Sequence, residues 1–436
     1  MAYTFRGGIH PDDQKAATNK KAIEPMAPPK QVVLPVSMHI GAPAKPVVKK
    51  GDQVFLGQLV AEAGGNVSAN IHATVSGTVV DVAPRPHPNG SKVLSVVIEN
   101  DFQDTPDPSL HPLDMDAMTQ EEIINAIREA GIVGHGGATF PADVKIRSGL
   151  GKADTLILNG AECEPYITSD HRVMLEQTDD VILGIKILLK ALGLQKAKLA
   201  VEENKADVFS HVEKLLPADG SIELCRLKTK YPQGAEKQLI FALTGREVPS
   251  GKLPADAGCV VFNVDTCATI ARKFRPGMND IRRIVTVSGS AITAPKNLEV
   301  RVGTSIGEVI EAAGGFKEEP NKILMGGPMM GVAQFDLTAP IFKGTNAILA
   351  FCGDEAKGSK TPSCIRCGRC VEACPMRLMP TYIYLYGEKG NLEACEKYDA
   401  LDCIECGACT YVCPGKLPLV QGIRSAKQRI LNARRK

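Results

Sequence analysis

Apolar residues change their spacing repeatedly along the chain, and each change predicts a different kind of element. Between residues 46 and 100, short alternating runs (Gln53–Leu56, Leu59–Ala61, Thr78–Val82, Leu94–Ile98) are cut by Gly, Pro and Asn. That is the pattern of half-buried β-strands. From about residue 119 the spacing turns helical. Ile123, Ile124, Ile127 and Ile132 fall on one face, with Thr119 and Glu122 placed as a capping box. Helical and strand patterns then alternate to about residue 275, through the strand TLILN and the apolar-periodic run DDVILGIKILLKALGL. Such alternation predicts an α/β domain. Residues 282–330 read as strand, strand, helix, and 353–363 read as a linker. Residues 1–45, rich in Pro, Lys and Ala, are expected to wrap over the surface. The basic end, QGIRSAKQRILNARRK, reads as a solvated terminal helix, with contact to a partner or an anionic lipid surface as the alternative.

Composition narrows the function. A chain of 436 residues exceeds one ordinary core, so several domains are expected. A formal net charge of +2 argues against nucleic acid as a partner. No apolar stretch approaches the ~20 residues that span a bilayer, and the first residues lack the apolar core of a signal peptide. A cytoplasmic protein is expected, held at a membrane only through other subunits. In that reducing setting clustered cysteines read as metal ligands rather than disulfides.

Eight of the fourteen cysteines form two copies of one spacing. The first is Cys364-Ile-Arg-Cys367-Gly-Arg-Cys370-Val-Glu-Ala-Cys374-Pro375, the second Cys403-Ile-Glu-Cys406-Gly-Ala-Cys409-Thr-Tyr-Val-Cys413-Pro414. Both follow the C-x2-C-x2-C-x3-C-P run of two-cluster ferredoxins. Three thiolates two residues apart on a tight loop can each reach a different iron of one cube, and Gly368 and Gly407 let the loop pass close to the sulfides. The fourth cysteine is expected at the start of a helix, its following proline in the first turn. In such proteins it ligates the other cluster, which groups Cys364, Cys367, Cys370 and Cys413 in cluster one. Cluster two then takes Cys403, Cys406, Cys409 and Cys374. The competing reading is structural zinc, which usually takes separated C-x2-C pairs. The other six cysteines lack ligand spacing and read as small buried residues, Cys163 standing out because its neighbours look functional.

Clusters pass single electrons, so another centre must supply them. The run Gly131-Ile-Val-Gly134-His135-Gly136-Gly137-Ala138-Thr139-Phe140-Pro141-Ala-Asp-Val-Lys145 could close backbone N–H groups on a phosphate. No G-x-G-x-x-G follows a strand, so a Rossmann fingerprint is absent. The run resembles the glycine loop of the NADH-binding flavoprotein subunit of respiratory complex I. Asn159-Gly-Ala-Glu162-Cys163-Glu164-Pro165, Tyr231-Pro-Gln-Gly234-Ala-Glu236 and Phe262-Asn263-Val264-Asp265-Thr266 resemble three later segments of that flavoprotein, in the same order. Thr139 and Ala161 depart from it, standing where that family has a glycine and an acidic residue.

Two further segments extend the likeness. VVKKGDQVFLGQLVAEA and IHATVSGTVVDV resemble the halves of a lipoyl-type barrel-sandwich, with GGNVSAN and no modifiable lysine between them. Residues 282–330 resemble a β-grasp module. This arrangement, with the opening FRGGIHP, resembles the RnfC family, one of the components of the Rnf complex, an ion-pumping ferredoxin:NAD oxidoreductase. The resemblance implies a multidomain α+β and α/β chain. Its parts are an N-terminal segment and barrel-sandwich over 1–112, an FMN/NADH-binding α/β domain over 113–280, a β-grasp (SLBB-like) module over 281–352, and an α-helical two-[4Fe–4S] ferredoxin-like domain with the basic helix over 353–436. It also implies FMN, two [4Fe–4S] clusters, NAD/NADH as substrate, and membrane and iron–sulfur partner subunits at the cytoplasmic face. Gly134, Gly136, Gly137 and Lys145 would cradle the FMN phosphate, and Asn159, Glu162, Asn263 and Thr266 would contact the flavin or its ribityl chain. Phe140 and Glu164 would face the nicotinamide, with Tyr231 and Glu236 lining the pocket. No acid–base catalytic residue is expected, because hydride transfer needs stacking geometry above all. A soluble relative of the same architecture, similar to cobalamin reductase, and a scaffold without flavin are the rival readings.

Overall fold

The computed structural model describes residues 2–353 and 363–434. The alternating runs of the first hundred residues form two small antiparallel sheets. One orders strands Gln31–Pro35, Lys92–Asn100, Gly77–Pro86 and Gln53–Val54; the other orders Lys45–Pro46, Leu59–Glu62 and Ile71–His72. Val32, Leu34, Val60, Ile71, Val79, Val96 and Ile98 fill the space between them.

The second domain is the expected α/β unit. Its four-stranded parallel sheet runs Ile222–Leu227, Ala197–Glu202, Thr155–Gly160, Cys259–Asn263. The strands that carry Asn159 and Asn263 read as near-continuous apolar runs because helices cover both faces, while the edge strand Ile222–Leu227 keeps exposed Glu223 and Arg226. On one face Thr178–Leu192 packs against Val264–Phe274, so closely that a Cβ on Gly184 would stand 2.0 Å from the Cys267 carbonyl oxygen. Glu236–Thr244 covers the other face. Helix Gln120–Glu129 starts at the predicted capping box, Thr119 and Glu122 bonding reciprocally, an arrangement that stabilises a helix by about 1 kcal/mol.

The third domain is a six-stranded mixed sheet ordered Ile23–Pro25, Lys296–Arg301, Arg282–Ser288, Ala347–Phe351, Lys322–Met325, Val332–Gln334. Helix Ile306–Ala312 packs on it. The ferredoxin-like domain is small and helical, Pro380–Glu388 and Leu392–Lys397 packing on the long C-terminal helix Leu419–Arg434. That last helix is amphipathic rather than merely solvated, burying Leu419, Ile423, Ala426 and Ile430.

Residues 1–45 do not simply wrap over the surface. Ile23–Pro25 is the edge strand of the third domain's sheet, and Gln31–Pro35 belongs to the first domain. Phe5, Ile9, Lys15 and Thr18 are buried. The linker expected at 353–363 lies, apart from its ends, outside the described residues.

Candidate functional site

Predicted flavin residues gather at the carboxyl edge of the parallel sheet, where α/β folds commonly bind ligands. Asn159 and Asn263 end adjacent strands and stand side by side in register. Asn263 caps helix Val264–Phe274, its Oδ1 accepting from the N–H of Asp265 and Thr266, while its Nδ2 donates to Asp170 at 2.6 Å. Asn159 donates to the Gly234 carbonyl at 2.8 Å. The glycine loop is closed by the Gly134 N–H bonding to the Phe140 carbonyl at 2.8 Å. Gly136 needs its left-handed φ of +70°, and both it and Gly137 are exposed, with open space at Gly137. The Thr266 hydroxyl accepts from the His135 N–H at 2.9 Å and ties the loop to the helix.

Other predicted residues are held differently from expectation. Lys145 is paired with Glu236 at 2.8 Å and bonds the Val261 carbonyl at 3.0 Å, so it does not stand free in the glycine loop. A half-buried ammonium takes the nearest carboxylate. Glu162, at φ +49°, turns its carboxylate onto the N–H groups of Asp170 and His171 in the first turn of helix Ser169–Glu176. Glu164 accepts from the N–H groups of Met329 (3.0 Å) and Met330 (2.9 Å) in the third domain. Gly327 lets that loop close over it, since a Cβ there would stand 2.2 Å from the carboxylate. Tyr231 is buried and its hydroxyl donates to the Cys406 carbonyl at 2.7 Å. Tyr231 therefore lies at the seam with the cysteine domain, and Glu164 at the seam with the third domain.

Sequence reading missed several members of the site. Lys15 bonds the carbonyls of Glu162 (2.9 Å), Glu164 (3.0 Å) and Ile167, and Lys205 bonds that of Ala161 at 2.6 Å, so two buried ammonium groups collect the carbonyls of one loop. Behind the glycine loop His135 lies between Asp265 (3.0 Å) and Asp280 (3.3 Å). Arg283 pairs with Asp265, and Lys343 approaches Asp280. Asp170 also went unread. Burial, with Glu162 and Asp265 nearby, pushes its carboxyl up to about 8. Burial pushes Glu164 up to about 7, against the two N–H groups it accepts from. A carboxyl raised in the folded state costs stability as pH climbs from its unfolded value near 4.5 to its folded one. Glu164→Gln is therefore expected to flatten part of the loss of urea resistance between about pH 4.5 and 7. An unchanged pH profile would rule this out.

Cysteines 374, 403, 406 and 409 line one small pocket, walled by Leu378, Ile404, Val420 and Ile423. This is the quartet predicted for cluster two, fourth cysteine included. Cys364, Cys370 and Cys413 pack in a neighbouring apolar cluster, and Cys367 is exposed. Four thiols set around one pocket suit a cube. Burial pushes the Cys406 and Cys409 thiols up to about 12, so as ligands of a cluster they would give up their protons to iron.

The two cysteine loops share one backbone form. Arg366 and Glu405 are left-handed (φ +56° and +58°), and their N–H groups point at the Sγ of Cys364 and Cys403, both at 3.4 Å. Gly368 and Gly407 precede the short helices Arg369–Glu372 and Ala408–Tyr411. One expectation fails here. Cys374 and Cys413 follow these helices rather than start new ones, and it is Pro380, not Pro375, that opens the next helix. The bonded turn after Cys374 brings the Leu378 N–H to its sulfur at 3.3 Å.

Among the remaining cysteines, Cys225, Cys259, Cys267 and Cys395 are buried, and Cys163 accepts from the Gly234 N–H at 3.3 Å. For a flavin the fit rests on the exposed glycines beside two asparagines. It rests also on Gln233, fully buried beside Gly234 with neither amide atom bonded.

Four family models match in sequence along the chain. They are the RnfC barrel sandwich hybrid domain (residues 3–103), the Nuo51 FMN-binding domain (127–272), the SLBB domain (284–333) and a 4Fe-4S dicluster domain (363–416). Among solved structures, the NAD+-reducing [NiFe]-hydrogenase in its H2-reduced state aligns with a TM-score of 0.52 at 18% identity. It covers 74% of this chain and 62% of that one, a likeness of fold alone. The chain is 49% identical to the C component of the Na(+)-translocating ferredoxin:NAD(+) oxidoreductase complex of Acetobacterium woodii, over 99% of this chain and 98% of that protein. It is 50% identical to the C component of the proton-translocating complex of Clostridium ljungdahlii, over 98% and 94%. The C component of the ion-translocating oxidoreductase complex of Rhodobacter capsulatus is 44% identical, over 99% and 84%. With an FMN-binding domain and a dicluster domain in one chain that matches these proteins nearly end to end, the protein belongs to the RnfC family of ion-translocating oxidoreductase subunits.

Proposed function

We propose that this chain is the electron-input subunit of a membrane-bound, ion-translocating ferredoxin:NAD oxidoreductase. It would act peripherally at the cytoplasmic face and exchange electrons with a partner iron–sulfur protein of the complex. Among the described residues no helix is long and apolar enough to cross a membrane. The near full-length match to complex subunits supports this reading over a soluble, cobalamin-reductase-like one. Within the chain, residues 113–280 would carry flavin and nicotinamide and 353–436 the clusters, with 1–112 and 281–352 as the docked frame.

FMN, when bound, supplies hydride acceptance from NADH and release of single electrons. The chain's own residues do the holding. Backbone N–H groups around Gly134, Gly136 and Gly137 would receive the phosphate beside the positive end of helix Val264–Phe274. Lys145, steadied by Glu236, would add charge at that end. Asn159, Asn263 and Thr266 would fix the ring and ribityl chain, with Phe140 toward the nicotinamide, while Glu162 and Glu164 would hold the loop in place through the N–H groups they accept from. The observation that carries the reading is the Tyr231 hydroxyl on the Cys406 carbonyl. It joins the loop bonded by Asn159 directly to the cavity of Cys374, Cys403, Cys406 and Cys409.

Asn263→Ala removes a helix cap worth about 1 kcal/mol and the bond to Asp170, and Lys145→Glu sets like charge against Glu236. Both are expected to lower the flavin-to-protein ratio and the NADH-driven bleaching of iron–sulfur absorbance. Wild-type protein that holds no flavin, and whose absorbance ignores NADH, would sink the proposal.

A further inference from the structure

A segment of the third domain lies against the glycine loop. Residues 342–346 lead into strand Ala347–Phe351 and are fixed by neighbours on both sides. Lys343 is buried, and its ammonium bonds the carbonyls of Gly131 (2.6 Å) and Asn70 (2.9 Å). Gly344 lies on Thr139, since a Cβ there would stand 2.3 Å from the Thr139 Cγ2 methyl. Thr139 is the loop residue that departs from the complex I flavoprotein, so its methyl and Gly344 fit as a pair. Thr345 is buried as well, its carbonyl accepting from Arg283 at 3.1 Å. The Asn346 carbonyl accepts from the Thr286 N–H at 3.0 Å.

What this leaves over is the Asn346 side chain. It is half-buried, and among the described residues its amide makes no hydrogen bond. Its Nδ2 stands 3.5 Å from where a Gly136 Cβ would be, and the Asn263 Nδ2 stands 3.9 Å from the same point. Two side-chain amides from different domains thus converge over one exposed glycine. An unused donor at a glycine turn suits an anion, whose oxygens accept several N–H groups at once. Asp170, which accepts from Asn263, is pushed up to about 8 by burial with Glu162 and Asp265 nearby. At neutral pH it is chiefly uncharged and does not repel such an anion.

We propose that Asn346 is a flavin-binding residue supplied by the third domain, its side-chain amide donating to the phosphate end of FMN. The proposal rests on the electron-input reading above and deepens it. Asn346 lies outside the matched FMN-binding segment (127–272) and beyond the matched SLBB segment (284–333). The third domain then serves as more than a frame. Because the amide has no partner among the described residues, its removal should cost flavin affinity without costing the fold.

The test uses the full chain with its clusters in place, freed of flavin and titrated with FMN or with riboflavin, which lacks the phosphate. Flavin fluorescence reports binding. Asn346→Asp replaces a donor by an anion of the same shape and is expected to weaken FMN binding by about thirty- to a hundredfold. Asn346→Ala, which only deletes the donor, is expected to weaken it about tenfold. Riboflavin affinity should change by less than about threefold in both. Asn432→Asp, exposed on the last helix, should change neither. Urea unfolding of the flavin-free variants is expected to match wild type. FMN affinity within about twofold of wild type in Asn346→Asp would overturn the proposal. Equal losses for FMN and riboflavin would do the same, by placing the contact away from the phosphate. So would a lowered urea midpoint in flavin-free Asn346→Ala, by making the amide a structural group. A wild-type chain that binds FMN but is not reduced by NADH fails the electron-input reading and leaves the Asn346 comparison intact, so the two failures are told apart.

Discussion

Replacing Cys374 with alanine is expected to halve the iron content, from about eight to about four atoms per chain, and to spare the cluster of the motif in which Cys374 sits. The reason is the cavity that Cys374 shares with Cys403, Cys406 and Cys409, none of them from its own motif. Cys374→Ala and Cys403→Ala should therefore leave the same residual paramagnetic resonance spectrum. Cys413→Ala should match Cys364→Ala and leave the other. NADH-driven reduction should suffer unequally, because among the described residues it is the cavity of Cys374 that is bonded through Cys406 to the flavin domain. The Cys374 variant is expected to lose NADH-driven reduction of its remaining cluster, and the Cys413 variant to keep it. A Cys374→Ala spectrum that matches Cys364→Ala would mean that each motif builds its own cube.

Arg283→Met is the second substitution with a large expected effect, and it acts on stability. Burial alone would raise the Asp265 carboxyl, but Arg283 and then His135 outweigh it and hold the group well below the usual carboxylate range. Removing one partner of a buried pair leaves an uncompensated charge and costs about 3–5 kcal/mol, to be read from urea or thermal unfolding. Asp265→Asn added to Arg283→Met should recover part of the loss. The sign of the pH effect follows from the depressed carboxyl. Its stabilisation is present above an unfolded value near 4 and is lost as pH falls through the lower folded one. The wild type should therefore lose more stability on acidification than the variant. A single-variant cost under about 1 kcal/mol would mean that the group is far better solvated than its burial indicates.

The parts legible in sequence are those fixed by near neighbours. Thr119 and Glu122 cap their helix as read because three residues settle the matter. The strands of Asn159 and Asn263 show as apolar runs, and the cysteine spacing already contains the cavity that the thiols line. What stayed hidden depends on partners far along the chain. Lys15 sits in a segment whose composition reads as surface, yet it is buried because carbonyls of residues 162, 164 and 167 form its cage. His135, Asp265 and the stretch holding Asp280 and Arg283 are far apart in sequence and meet only when the chain has folded. Pro375 misled for a similar reason: the pull of Cys374 toward the opposite cavity opens a turn where a helix was expected. Glu164 and Tyr231 were read as one pocket with the glycine loop, and tertiary packing turned them to the seams with the third domain and the cysteine domain instead.

The contacts of residues 7–9 bear on how the molecule is made. The Gly8 N–H bonds the Ala373 carbonyl, Ile9 pairs with Tyr231, and a Cβ on Gly7 would lie 2.7 Å from the Cys374 carbonyl oxygen. A ribosome releases these glycines first and their partners near the end, and contacts so distant along the chain form late. The leading residues must wait, unpaired, through most of synthesis. Gly7 and Gly8 close the seam only once the iron-binding part has emerged, so this contact is among the last to be fastened.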